Sequence, residues 1–525
     1  MRFNKLILFL IAVAIATGSC KKILDVAPYS SFSDVTAFST PERVQLALYG
    51  VYDAAQSGFY AGNVIRGYPF GAANIEQSDM RGEDMLNQAQ FYAFTYEATY
   101  NNTSPNNGYM WQTLYALINT ANLVIEGVKD AASKNVISQA VATQYEAECR
   151  FLRAMAHHEL VINFARPYAD GNGSKLGIIW RDFGIKNDAT AQQAREQKRS
   201  TVAENYTKIL EDLNFAEANL PAIVNDITNT PIKTYRASKA AAIALKMRVK
   251  LHMQDWQGVV TEGNKLIPAT APFVSPIGGW KLTPTPEGPF TNNASDESIF
   301  SIKNDATDNP GTNAALARML GSPALTGRGL VRVSPIAFNL PAWRCDDQRR
   351  TLLLTQDGRS YYSTKYKDYT NWSDAAPQIR YAEVLLTLAE AEARLASGVS
   401  TRTLALLNAV RNRAVPADAQ YTASSFATKK DLIKAILDER RIEFLAEGKR
   451  WGDIHRLALD PDFSTGGIPA KMTFANATFD KYNCSTNPTL TKSIAAIPYS
   501  DFRFIWPIPL EEIQQNPNIE QNPGY

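Results

Sequence analysis

Apolar residues recur every three to four positions over long stretches of the chain, and these stretches predict helices. Thr40-Pro41-Glu42 reads as a helix start, with Thr40 as cap and Pro41 in the first turn. The helix runs to about Gln56 with Val44, Leu48, Val51 and Tyr52 on one side. Further helices are expected over Tyr109–Val128, Ile137–Phe164 and Val202–Leu220, the last stopped by Pro221. Two close pairs follow: Ser238–Gln254 with Trp256–Ile267, and Gln378–Ala396 with Thr401–Arg413. Ala241, Ala242 and Ala244 leave room for a partner helix in the first pair. Paired helices joined by short turns predict a mostly α fold, a tetratricopeptide-like superhelix.

Two stretches lack this period. Residues 57–108 and 268–376 are rich in Gly, Asn, Pro and aromatic residues. Long irregular segments in a periodic chain are functional or disordered, and their rings argue against disorder. Within the second, Glu297–Lys303 alternates like a strand and Leu330–Val333 suggests another. The expected organisation is one domain from residue 20: a helical scaffold at about 40–56, 109–267 and 377–457, the two loop-rich segments, and a tail at about 458–525 with a short helix at Leu510–Gln514.

Asp438–Leu457, extended back to Ile433, reads as one amphipathic helix. Ile433, Leu437, Phe444, Trp451 and His455 fall near one face, and Arg440 and Gly448 fall there too. Burying Arg440 requires carboxylates, which Glu439, Glu443, Glu447 and Asp453 can supply. Gly448 marks a close backbone approach or a break. Glu439 and Glu443 could be read as an acid–base pair; the expected reading is an ion-pair network at a helix junction.

The first residues differ in kind. Arg2 and Lys5 precede the apolar run Leu6–Ala16, too short to span a bilayer, and Thr17-Gly18-Ser19 leads into Cys20. This pattern looks like a lipoprotein signal peptide over residues 1–19, with Cys20 lipidated and Lys21–Ser33 as a tether. Of 525 residues, 54 are Lys or Arg and 52 Asp or Glu, so there is no field for nucleic acid. Cys149, Cys345 and Cys484 remain beyond Cys20 and permit at most one internal disulfide. With four histidines and no CxxC motif, neither a zinc site nor any other cofactor is expected.

No nucleophile elbow, phosphate loop or dinucleotide fingerprint is present. His158-Glu159 lacks a second zinc-binding histidine, and Asp170-Gly171-Asn172-Gly173 reads as a turn. What the irregular stretches offer is rings among Asn, Asp and Arg. Such rings cover the C–H face of a sugar while polar neighbours meet its hydroxyls.

Several stretches in order resemble the SusD/RagB family, the surface lipoproteins of Bacteroidetes glycan uptake. They are CKKILDVAP, FSTPERVQLALYGVYDA, WQTLYALINTANLVIEGV, AECRFLRAMAHHELVINFARPY, SKAAAIALKMRVKLHMQDWQGVV, IRYAEVLLTLAEAEARL, LNAVRNRA, ILDERRIEFLAEGKRWGDIHRL and IPLEEIQQNPNIEQNPGY. The resemblance implies a non-enzymatic protein of four tetratricopeptide-like pairs, anchored through Cys20 to the outer membrane. It implies a lid on a SusC-like TonB-dependent transporter that passes oligosaccharide to the barrel. Some relatives bind peptides, so that alternative stays open, as does a helical scaffold without a ligand. By rough position, the resemblance points to Tyr68, Asp79, Arg81, Tyr100, Asn101 and Asn102 as ligand contacts; Trp280, Trp343 and Arg344 are candidates from the second irregular segment.

Overall fold

The helix starts expected from the sequence are present in the structure, a computed structural model that describes residues 34–57, 66–226 and 228–525. The leader, Cys20 and the tether lie outside the described residues. In α1 (Pro41–Gln56) the Thr40 hydroxyl accepts from the Arg43 amide at 3.4 Å. Helix α2 (Ala72–Arg81) comes next, in a segment where the sequence predicted no long helix. Then follow α3 (Pro105–Ser133), α4 (Gln139–Phe164) and α5 (Val202–Asn219), the last opened by a Thr201–Glu204 capping box. The two expected pairs are α6 (Lys239–His252) with α7 (Trp256–Leu266), and α8 (Tyr381–Leu395) with α9 (Thr401–Arg411).

Each scaffold helix packs on the next: α3 on α4, α4 on α5, α5 on α6, α6 on α7, α7 on α8, α8 on α9. Their facing sides are closed by apolar residues such as Leu114, Leu152, Leu213, Ile243, Leu385 and Leu406, all without exposed surface. Each contributes roughly 1.5–3 kcal/mol of burial. The fold is therefore mostly α and tetratricopeptide-like, as the periodicity predicted.

The irregular segments carry short antiparallel strand pairs. Strand β1 (Met85–Asn87) pairs with β3 (Val331–Val333), joining the two segments through Met85↔Val333. Strand β2 (Ser298–Ile302) pairs with β6 (Ala376–Arg380). Strands β4 (Leu354–Asp357) and β5 (Ser360–Ser363) form a hairpin that the sequence did not foretell. Two-stranded pieces are marginal alone; here they are buttressed by the helices. Cys345 and Cys484 form a disulfide, while Cys149 is free and buried.

The stretch 433–457 is not one helix. Helix α10 (Lys429–Glu443) ends, Ala446 and Gly448 take positive φ of 63° and 71°, and α11 (Arg450–Arg456) starts afresh. A Cβ on Gly448 would lie 2.9 Å from the Ile75 Cα of α2, so both meanings of that glycine hold. Glu439 and Glu443 are ion-paired, not poised as acid and base. Arg349 donates to Glu439 at 2.6 Å and Glu443 at 3.1 Å, and Arg380 to Glu443 at 3.0 Å and Glu447 at 2.8 Å. Arg440 meets Asp453 at 3.3 Å. At the end of α11, Arg456 is held by Glu390 and Asp453.

Candidate functional site

A hollow of about 320 Å³ lies where the end of the first irregular segment meets the C-terminal tail. One wall is Thr99–Asn102. The Asn101 side chain accepts from the Thr103 amide at 2.9 Å and its hydroxyl at 2.7 Å, and the Asn101 amide donates to Ser104, the residue before α3. This turn fixes the wall to the scaffold. The opposite wall is Phe502-Arg503 with Tyr525. Asp501 accepts from the Arg503 amide at 2.9 Å and grips its guanidinium at 3.0 and 2.6 Å. Phe502 stands out between them, 38% exposed, with the Tyr525 ring edge-on at 4.8 Å.

Cross-links join the walls. The Tyr100 hydroxyl donates to the Arg503 carbonyl, the Leu510 amide to the Asn102 carbonyl at 2.9 Å, and the Tyr525 hydroxyl to the Ile505 carbonyl at 2.8 Å. Beneath Tyr100 the Trp506 ring lies edge-on at 6.3 Å. Arg81 is clamped between Trp506 at 4.7 Å and Trp451 at 3.4 Å. Its fork donates to Asn163 at 2.7 Å and to the Phe504 carbonyl at 3.0 Å. Burial lowers the Arg81 pKa to about 10, partly opposed by the nearby Tyr100 and Tyr525 hydroxyls. At the rim, the hydrogen bond from Arg503 holds the Asp501 carboxyl below its ordinary value. The hollow thus presents an exposed ring, side-chain amides and a guanidinium on a floor fixed by packing. That set can stack on a flat apolar face and meet hydroxyls around it.

Of the residues picked from the sequence, the structure brings four together here. Tyr100, Asn101 and Asn102 line the hollow, and Arg81 lies under it without exposed surface. Asp79, on the same helix, is 1% exposed and faces the Arg450 amide at 3.4 Å. Tyr68 is 1% exposed and accepts from Gln77. Trp280 and Trp343 are interior rings, one beneath Lys233 at 4.9 Å and the other against Arg350 at 4.4 Å. Neither offers surface to a ligand in this conformation. Arg344 is exposed but holds Asp346 at 2.7 Å, away from the hollow. Phe502, Arg503 and Tyr525 were not picked from the sequence. The signal for the first two was present, since Asp501-Phe502-Arg503-Phe504 interleaves rings with Asp and Arg.

Among the described residues, no group of His, Cys, Asp and Glu could hold a metal ion, and no helix is long and apolar enough to cross a membrane. Two family models match the chain: one described as the SusD family over residues 344–525, the other as starch-binding associating with outer membrane over residues 22–251. SusD-like protein P38 of Formosa agariphila is 24% identical, with 99% of each chain covered. A crystal structure of a SusD superfamily protein from Bacteroides fragilis superposes with a TM-score of 0.72 at 25% identity, covering 92% of this chain and 99% of that one. A laminarin-binding SusD-like protein shares the fold, with a TM-score of 0.65 at 20% identity, covering 93% of this chain and all of the other. Relatives along the whole length, family matches at both ends and a common helical fold lead to one conclusion: the chain belongs to the SusD family.

Proposed function

We propose that the protein is a cell-surface glycan-binding lipoprotein, lipidated at Cys20, that captures oligosaccharide and delivers it to a SusC-like TonB-dependent transporter as its lid. The observation that carries the binding role is the hollow at Tyr100, Asn101, Asn102, Phe502 and Arg503, where an exposed ring is rimmed by hydrogen-bonding groups. The family description, starch-binding associating with outer membrane, and the laminarin-binding relative support the ligand class and the location. The Cys345–Cys484 disulfide supports a compartment outside the cytoplasm, because such bonds persist in oxidising surroundings. The single domain from residue 20 and the transporter partnership belong to the same reading.

Titration of the mature protein with laminarin and with soluble starch tests the ligand role. Phe502→Ala is expected to weaken binding about tenfold, the loss of one stacking ring, with the melting temperature unchanged. Unchanged affinity would remove the hollow as the site. Co-purification with a large outer-membrane barrel tests the partnership, and loss of membrane attachment in Cys20→Ala tests the anchor.

One observation favours a second reading, a helical scaffold with no ligand of its own. Tyr68, Trp280 and Trp343, rings of the irregular segments, are buried as interior packing. On that reading neither polysaccharide shifts the melting temperature.

A further inference from the structure

A second hollow, of about 190 Å³, opens between α3, α4 and α5, beside the loop that follows α4. Its wall includes Trp180, a half-buried ring in the span between α4 and α5. The indole is fixed from one side by the His157 ring, stacked at 4.0 Å and 23°. Both nitrogens of that histidine are committed. Nδ1 lies 2.9 Å from the Arg153 carbonyl, and Nε2 accepts from the Arg181 amide at 3.3 Å. The Trp180 carbonyl accepts from Gln197 at 2.9 Å. The ring is thus held in place before any ligand arrives, so little freedom is lost on binding.

The rim is rich in charge yet balanced. Lys129, Arg150, Arg153 and Lys208 stand against Asp182, Glu211 and Asp212 in the lining; Glu146, just outside it, grips Lys129 at 2.9 Å and Arg150 at 2.6 Å and completes the balance. Such a rim selects neither an anion nor a cation, but it offers donors and acceptors together. Asp182 is the acceptor left over: it is exposed and makes no hydrogen bond or ion pair with any described residue. Lys208 and Glu211, paired at 3.0 Å, are about half exposed and can turn to a newcomer. A ring to cover C–H groups, with neutral-sum donors and acceptors around it, fits a polyol with one apolar face. The volume is below the roughly 300–1,000 Å³ of pockets for whole drug-sized ligands, so it suits one sugar ring of a longer chain.

The tail that walls the first hollow also reaches the neighbour of Trp180. Leu510 donates to Asn102 of the first, and Glu512 two residues on accepts from Arg181, next to Trp180, at 3.3 Å. We infer that Trp180, with Asp182 and Lys208, forms a second saccharide subsite that takes one neutral pyranose ring of a chain. This rests on the glycan reading above, but on different residues.

The test labels the full mature chain with 5-fluorotryptophan and follows its eight tryptophans by fluorine NMR. Trp180→Phe assigns the Trp180 resonance. Laminarin and soluble starch are the probes. The expected result is a saturable shift of that resonance with at least one of them, with the midpoint raised about tenfold in Asp182→Ala/Lys208→Ala. Both changes lie on the surface, so a circular dichroism spectrum like the wild type's separates lost binding from lost folding. A Trp180 resonance unmoved by both polysaccharides overturns the subsite. If Phe502→Ala still weakens binding about tenfold, the first site survives that result. If Trp180 shifts while Phe502→Ala changes nothing, the first site falls and this one stands.

Discussion

Helix α2 carries Glu76 and Asp79 into the interior with no ion pair for either among the described residues, whereas α10 and the turn after it carry in Glu439, Glu443 and Glu447 among Arg349, Arg380, Arg411, Arg413 and Lys365. The two regions touch at Gly448, and both bury carboxyl groups almost completely. Their acids nevertheless move in opposite directions. Burial pushes Glu76 up to about 8 and Asp79 to about 7. Burial acts on Glu443 too, but Arg413, Arg380 and Arg349 overcome it and hold the carboxyl at about 2. Depth does not decide the charge state of a buried acid; the supply of cations does. On α2 burial favours the neutral form of both acids, Glu76 more than Asp79. At the junction the cations favour the charged forms of Glu443 and Glu447, and the ion pairs tie the segments carrying Arg349, Lys365, Arg380 and Arg413 to this turn.

Breaking the paired region has the largest expected effect. Glu443→Ala leaves three buried arginines short of a carboxylate and should cost about 3–5 kcal/mol, read as a lower urea midpoint. Gly448→Ala tests the seam between the regions. It places a side chain at φ 71° and within 2.9 Å of Ile75, and should cost about 1–3 kcal/mol by the same measurement. A loss no greater than at an exposed helix position would mean the two backbones are not pressed together.

The finest test separates the regions by pH. Glu76 has a folded pKa above its ordinary 4.5, so the folded state keeps a proton that the unfolded chain releases. Its contribution is complete below about pH 4.5 and is lost as the pH rises through about 8. Glu443 does the reverse: its contribution is present above about 4.5 and is lost as the pH falls through about 2. Glu76→Gln should therefore flatten the alkaline decline in stability, by up to about 1.4 kcal/mol per pH unit, and leave the acid limb untouched. An unaltered alkaline limb would show that Glu76 is already ionised at neutral pH.

The same contrast explains what could be read in the sequence. Helices α3 to α9 were legible because apolar residues recur at helical spacing along each, and Ser138, Thr201, Ser238, Asp255 and Ser400 cap α4, α5, α6, α7 and α9. Helix α2 was not. All ten of its residues are buried, including Asn74, Glu76, Gln77, Ser78, Asp79 and Arg81, so no stripe exists to detect, and Gly71 begins it without a side-chain cap. The ion-pair junction was legible in kind, since the carboxylates beside Arg440 announced their use, but not as two helices. Two positive φ values in five residues redirect the chain there, and Ala446 carries no sign of it. At the candidate site, Tyr100, Asn101 and Asn102 were legible as a ring beside amides. Trp280 and Trp343 show the limit of that rule, because long loops need small cores of their own and draw their rings inward. The opposing wall arrives from more than 400 residues away, where the tail read as turns and one short helix.

Distance along the chain has a consequence for how the protein is made. Besides local bonds to Tyr68, Pro69 and Thr95, α2 is anchored by Asn163, Gly448, Arg450 and Phe504, which lie far along the chain. While the ribosome is still synthesising the first scaffold pairs, Ala72–Arg81 has Asn163 but not Gly448, Arg450 or Phe504 to dock on, and a polar ten-residue helix does not persist alone. It is a keystone, inserted after the arch is standing. In pulse-labelled hydrogen exchange during refolding, its amides should become protected together with those of residues 502–506 and after those of α6; protection of α2 first would reverse that order.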